Sequence, residues 1–457
     1  MSSRQSVYGS AQRPLGAGDQ LSVAAFARAK ELHSRIWFTL AALVVYRLGT
    51  YIPLPGIDSA VVSEMFKSHG GGLFGMFDMF AGGALQRMTI FALNIMPYIT
   101  ASIIMQLMTA VSPSLEAMKK EGESGRKQIN QYTRYAAVLL AMVQGYGLAI
   151  GIESMRSGSV SAVLDPGLSF RLTTMIMLTG GTVFLMWLGE QMTFRGIGNG
   201  TSMIIFAGIV ANLPLALGNT LELGRTGALS IGFIFAVLLL VIAVVYFIVY
   251  VERAQRRLLV QYPKRQVGMR MTGGGSTHLP LKLNSAGVIP PIFASSLLLL
   301  PTTIASAGVG ADAPEWLSNT IRALSFGQPL HMALYAFMII FFSFFYTAVV
   351  FNPVETADNI KKNGGFILGI RPGKHTADYL DFILTRLTVV GALYMTIVCL
   401  LPEFLIAHYG LPFMLGGTSL LIVVSVTMET VTQISGHMLA HQYEGLMKKS
   451  GLQGRRS

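Results

Sequence analysis

The sequence predicts an all-α polytopic membrane protein, ten transmembrane helices with the large basic loops gathered on one side. Composition is the first support. Hydrophobic residues make up 52% of the 457 and charged residues only 12%, against about 25% charged in ordinary soluble domains. Spacing is the second, because runs of about 20 mostly apolar residues, enough for a helix to cross a bilayer, recur along the whole chain. Charge asymmetry is the third. With a cytoplasmic N-terminus, 27 of the 34 Lys and Arg fall on the cytoplasmic side of a ten-span topology, where positive loops resist translocation. Lys67, Arg87, Arg156, Arg171, Arg225 and Arg322 fall opposite, and Arg47 lies within the first span.

In chain order, residues 1–32 form a polar cytoplasmic tail with no apolar signal-peptide core, so the first span is expected to serve as its own insertion signal. Spans are expected at 33–52, 85–109, 134–152, 172–192 and 200–219, making an N-terminal half over 33–219. Five more, at 229–251, 284–305, 330–352, 380–402 and 411–433, make a C-terminal half over 220–433, and the even total returns the basic tail 434–457 to the cytoplasm. The single cysteine, Cys399, lies in the ninth span and excludes an intrachain disulfide or a cysteine metal cluster.

Between the first two spans lies GGGLFGMFDMFAGG, residues 70–83, where Leu73, Phe74, Met76 and Phe77 are bracketed by glycines. It is too short to cross; it either lies on the membrane surface or folds back into a cavity and stops it. The second span carries Asn94, Pro97, Tyr98, Thr100, Ser102 and Gln106 within FALNIMPYITASIIMQLM. Polar groups at that depth line a water-filled path or bond across a dry helix interface. The words IMPYITASI (95–103) and IPPIFASSL (289–297) sit in the second span of each half, with Ile95, Pro97 and Ser102 opposite Ile289, Pro291 and Ser296. Five-span halves would be inverted repeats, which place a path at their interface; chance likeness of two proline-bearing apolar helices is the alternative.

The loops 112–134, 252–283 and 353–379 mix basic residues, glycine turns and apolar residues, a composition that suits protruding hairpins or, more simply, solvated topogenic loops. The net charge of +12 first reports topology and attraction to anionic lipid, and offers a docking face for an RNA-rich or acidic partner. Catalytic chemistry is scarce. HMLAH (437–441) lacks the glutamate of zinc proteases, and GIGNG (196–200) has neither a preceding strand nor the Walker lysine. Glu190 and Glu429 lie near span ends, and Arg47 has no obvious partner, too few groups for an ion relay. No enzyme, cofactor or metal site is expected.

The words EGESGRKQINQYTRY (121–135), MWLGEQMTFRGIGNG (186–200), STHLPLKLNSAGVIPPIFASS (276–296), FNPVETADNIKK (351–362), GIRPGK (369–374) and GGTSLLIVV (416–424) are longer than hydrophobicity alone produces. From Ala41 to Leu446 the chain resembles the SecY family, the central subunit of the bacterial protein-translocation channel. The resemblance implies a clamshell of two inverted five-helix halves, hinged between spans five and six. An unfolded secretory polypeptide passes between the halves, or leaves sideways into lipid through a lateral gate. It implies that 70–83 is a plug. It implies a pore ring of Ile95, Ile99, Thr201, Ile205, Ile292 and Ile422, with Thr201 departing from the usual isoleucine. Such a ring would hold back ions by dewetting, and Thr201 is expected to make it wetter and opening slightly easier.

The resemblance also places the gate between spans two and three and spans seven and eight, with Thr100, Gln106 and Asn284 pairing across it. It implies that Lys264, Arg265, Arg371 and Lys374 meet the ribosome or the SecA motor, while Val354 stands where related proteins often carry arginine. Implied partners are SecE and SecG subunits, SecA, the ribosome, anionic lipid, the secretory and membrane polypeptides themselves, and SecD/SecF and YidC as further candidates. The implied location is the cell inner (cytoplasmic) membrane. With no nucleotide site in the chain, a partner must supply the driving force. A secondary transporter of a small solute is the main rival, since inverted repeats serve it equally well.

Overall fold

Each of the ten expected spans overlaps a helix in the computed structural model, which describes residues 30–59, 61–63, 78, 81–154, 156–157, 160–226, 230–263, 265–267, 270–272, 275–308, 323–324, 327–409 and 417–453. Helix α1 spans Lys30–Gly49, α2 Met96–Val111, α3 Pro113–Lys120, α4 Glu123–Ser154, α5 Leu168–Arg195 and α6 Gly200–Arg225. Helix α7 spans Ile231–Arg253, α8 Ile289–Gly308, α9 Pro329–Val350, α10 Pro353–Lys362, α11 Lys374–Tyr409 and α12 Gly417–Gln453. Among the described residues, seven helices suffice by length and composition to cross a membrane, or eight if α2 and α3, bent by 98°, count as one broken span. Of the 70–83 segment only Asp78 and residues 81–83 are described, so Leu73, Phe74, Met76 and Phe77 lie outside the described residues.

Two expectations are corrected. The second span, expected over 85–109, is helical only from Met96. Residues 82–95 run as successive turns, with Gly82, Gly83, Met88 and Asn94 at positive φ. Bonds to the loop after α1 hold them there: Leu54 N–H donates to Met88 O (2.9 Å) and Ile90 N–H to Ile52 O (3.1 Å). Apolar sequence cannot distinguish this from helix, because irregular backbone is tolerated in such a segment once protein surrounds it. Helix α2 then starts where Pro97 sits in the first turn, as α8 starts on Pro290 and Pro291; proline is pre-set for that position.

The loop 112–134 is the second correction. Extended Ser112 (ψ 117) ends α2, and α3 and the first turns of α4 follow, so the segment is helical rather than a hairpin. A short hairpin of β1 (Arg156–Ser157) and β2 (Val160–Ser161) follows α4. The other two basic loops fold together. Strands β3 (Gln255–Gln261) and β6 (Ser276–Lys282) pair antiparallel over seven residues, from Gln255↔Lys282 to Gln261↔Ser276. Within that hairpin β4 (Arg265–Val267) pairs with β5 (Arg270–Thr272), and β7 (Phe366–Ile367) adds to the free edge of β3. Alternation turns Leu258 and Val260 inward. With Leu281 and Ile367 they pack on Ala357 and Ile360 of α10 and Leu380, Ile383 and Leu384 of α11. Loops 252–283 and 353–379 thus form one module with its own core, seated on the first turns of α11.

Candidate functional site

The two largest apolar cores take up most of the helices. One is built mainly by α1, α5 and α6 with residues 81–95, the other by α7, α8, α9, α11 and α12. Each borrows from the other group. Ile422 and Val426 of α12 are buried in the first, with Ile292 and Val288 packed against it, while Ile103 of α2 is buried in the second. Ile99 and Val288 touch both cores, so the boundary between the two groups is itself apolar.

The six ring candidates converge on this boundary unevenly. Ile95 (0% exposed), Ile205 (4%) and Ile422 (1%) are buried together, and Ile99 and Ile292 pack against them half-buried. Thr201 differs. Its hydroxyl donates to Asn199 Oδ1 (2.5 Å), whose oxygen also accepts from Thr201 N–H as the N-cap of α6. A Cβ on Gly189 of α5 would stand 3.4 Å from the Thr201 methyl. Gly200 approaches the Gly189 carbonyl so closely that no side chain fits, which explains the GIGNG turn. With its hydroxyl engaged in capping, Thr201 is not a free polar group, and the expectation that it wets the ring is revised. Thr201→Ile should therefore change ion leak in vesicles by less than about twofold, since one engaged hydroxyl is exchanged for apolar surface.

Arg47, which had no evident partner in the sequence, has several. Its Nη1 donates to Gly82 O (2.7 Å) and its Nη2 to the Tyr51 hydroxyl (3.2 Å). Two guanidinium groups lie over the Tyr51 ring, Arg47 at 5.2 Å and Arg87 at 4.3 Å from its centroid. Fully buried Tyr46 donates to Ala81 O (3.4 Å), so the end of α1 grips the chain at 81–82. Asp78 Oδ1 accepts from Gln86 N–H (2.8 Å); burial raises its carboxyl pKa above the usual range, and the Gln86 and Leu85 amides and Arg87 oppose that.

The three gate candidates are not paired with one another. Thr100 donates to Met96 O (3.1 Å) and Gln106 Nε2 to Ser102 Oγ (3.3 Å), both within α2. Asn284 donates to Glu252 Oε1 (2.7 Å) and Gly287 O (3.0 Å) and approaches Met395 Sδ (3.7 Å), all in the second group of helices. The expected polar seam is corrected to an apolar one: α8 packs on α2 and α4, and the buried residue that crosses is Ile103, with Ile99 and Leu107 packed on the same core. Ile103 escaped the sequence reading because an isoleucine facing lipid and one facing a partner helix read alike. Gln106 Oε1 is buried without a partner. Gln106→Leu should favour the closed contact by about 1–3 kcal/mol, by removing that orphan acceptor. In a membrane-insertion assay the threshold should move toward more hydrophobic segments.

Arg371 and Lys374 are exposed on the turn between β7 and α11, beside exposed Lys361 and Lys362 at the end of α10. Arg265 lies in β4 opposite Thr272, and Lys264 lies outside the described residues. Val354, 60% exposed, opens α10 with its N–H bonded to the Asn352 cap (3.1 Å). A bidentate pair, Arg134 Nε and Nη2 on Glu190 Oε1 and Oε2 (both 2.8 Å), ties α4 to α5 at that same end.

A multi-pass helical membrane protein with an apolar boundary between two helix groups and a basic module at one end has the build of a channel. The chain belongs to the SecY family, whose sequence pattern matches residues 89–431. It is 54% identical to the protein translocase subunit SecY of Escherichia coli (strain K12) over 424 residues, 93% of this chain and 96% of that one. To the protein of the same name from Vibrio cholerae it is 53% identical over 427 residues, covering 93% and 96%. Its fold also matches a structure described as that of a protein conducting channel (TM-score 0.65, 20% identity, 89% of this chain and 92% of that one). A second match is Sec61 in the canine ribosome-channel complex from the endoplasmic reticulum (TM-score 0.63, 18% identity, 89% and 92%).

Proposed function

We propose that the chain is the conducting subunit of a protein translocase, passing unfolded secretory polypeptides between its two helix groups and releasing membrane segments sideways past α2 and α8. The observation that carries this reading is the long high-identity match to translocase subunits, which spans the ring, gate and basic-module segments together. The geometry supports it: the boundary is closed by apolar contact of Ile95, Ile99, Ile205, Ile292 and Ile422, with a hydrogen bond between the groups from Gly198 N–H to Gln433 Oε1 (2.8 Å), and an apolar constriction resists ions by dewetting. A solute transporter needs charged or carbonyl ligands at such a place, and isoleucines meet there instead.

On this reading the ten spans are two inverted five-helix halves, 33–219 and 220–433, in the cell inner membrane, with the basic module and both termini cytoplasmic. The positive-inside bias supports that orientation. SecE and SecG complete the complex, SecA or the ribosome docks on Arg371, Lys374 and the hairpin tip, and anionic lipid, SecD/SecF and YidC lie within reach. The chain itself performs no catalysis. Vesicles holding this chain with its two small subunits, given the motor, ATP and a preprotein, should shield the preprotein from protease. Equal shielding by vesicles without the chain would refute the proposal.

A further inference from the structure

The module and the gate helix α8 are joined by a short stiff path. Strand β3 follows α7 almost at once, and β6 leads into α8 through six residues, 283–288. The sheet ladder runs to the base of the hairpin, Gln255↔Lys282, and one further bond, Leu283 N–H to Ala254 O (3.0 Å), extends it to the end of α7. Immediately beyond, Asn284, 3% exposed, spends both amide hydrogens: one on Glu252 Oε1 of α7 (2.7 Å), the other on Gly287 O (3.0 Å), closing the lead-in to α8. Helix α11, on which the module sits, passes close behind. A Cβ on its Gly391 would stand 3.0 Å from Leu283 O, and Met395 Sδ lies 3.7 Å from the Asn284 amide.

We infer that Glu252 is a positioning residue which, through its bond to Asn284, fixes the first turn of α8 to the basic module, so that movement of the module on docking reaches the gate helix. This rests on the functional reading above. A charge-assisted bond between a buried amide and a half-buried carboxylate is short, directional and costly to leave unmade. Without it the six residues 283–288 would act as a soft joint and absorb displacement. Asn284 thus acts on the gate from its base, within one helix group, rather than as a contact across it. Coupling of this kind is established by a double-mutant cycle, since spatial intermediacy alone is only an association.

The pair permits an isosteric swap. Glu252→Ala removes the acceptor. Asn284→Asp sets two carboxylates face to face and also loses the bond to Gly287 O. Combining Asn284→Asp with Glu252→Gln restores an amide opposite a carboxylate with no change of side-chain shape. Each variant is reconstituted as the full complex, and two quantities are read: the midpoint for motor binding, and the rate at which preprotein becomes protected. We expect Glu252→Ala and Asn284→Asp to slow protection about tenfold, the scale of one charge-assisted bond. The binding midpoint should move less than about twofold, and the swap should raise the rate at least about threefold above that of Asn284→Asp, with the bond to Gly287 O still unmade. Glu252→Ala indistinguishable from wild type would overturn the inference. So would binding and protection falling together with no relief from the swap, which is what a merely structural role gives. A wild-type complex that protects nothing would instead remove the functional reading, and this inference with it.

Discussion

Ile103→Asn should leave the channel open to lipid. Ile103 is 3% exposed, on a helix of the first group but packed among Phe293, Ala294 and Leu298 of α8. An asparagine there puts a carboxamide among apolar side chains, which costs about 2–5 kcal/mol in lost apolar burial and poorly made hydrogen bonds. The open state does not bear that cost, because there the side chain meets water or substrate. A penalty of this size on one of two states shifts their ratio by a factor of roughly thirty or more. Vesicles carrying the variant should leak ions at rest, and model segments of lower hydrophobicity should partition into lipid. Ile103→Val, which removes one methylene, should cost only about 0.5–1.5 kcal/mol and leave the seal largely intact. Equal leak from the asparagine and valine variants would count against a closed gate built on this side chain.

Arg371→Glu should nearly abolish motor-driven export while leaving the channel folded. Arg371 is exposed on the turn after β7, and its substitution removes no buried contact; surface changes away from packing and caps usually stay within about 0.5 kcal/mol of neutral. Reversing a charge that faces an acidic or phosphate-rich partner loses an attraction and adds a repulsion, and such contacts respond strongly to salt. The expected result is a fall in preprotein protection of about tenfold or more at physiological salt, with undiminished amounts of the chain in the membrane. Lys374→Glu, three residues on at the exposed start of α11, should behave alike but more weakly, since lysine offers a point charge and no planar fork.

Much of this architecture is legible in the sequence because a bilayer imposes a length and a charge rule that composition obeys directly. The ten runs lie on helices in order, and the family words mark the segments that meet at the boundary. Two kinds of feature are not legible. Residues 82–95 are as apolar as a span, yet Gly82, Gly83, Met88 and Asn94 turn the backbone and Arg47 holds Gly82 O; only tertiary contact distinguishes that from helix. Arg47 is instructive in the same way, since its partner is a carbonyl and carbonyls have no sequence signal. Which polar side chains face which neighbour is also hidden. Asn284 reads as a gate residue from its place in the chain, but the hairpin delivers it to Glu252, 32 positions away. Thr201 looks like a wet substitution in an isoleucine ring until its hydroxyl is found on Asn199.

That a polypeptide passes along the boundary between the two helix groups is tested most directly by disulfide trapping of a stalled secretory chain. The only native thiol, Cys399, is buried, so with Cys399→Ser as background a single cysteine can be placed at Ile95, at Ile292, or at Ile242, which is 62% exposed on the outer face of α7. A preprotein carrying one cysteine and a folded C-terminal block is driven into the complex and oxidised. The proposed path predicts adducts at positions 95 and 292 and none at 242; adducts at 242 with none at 95 and 292 would contradict it.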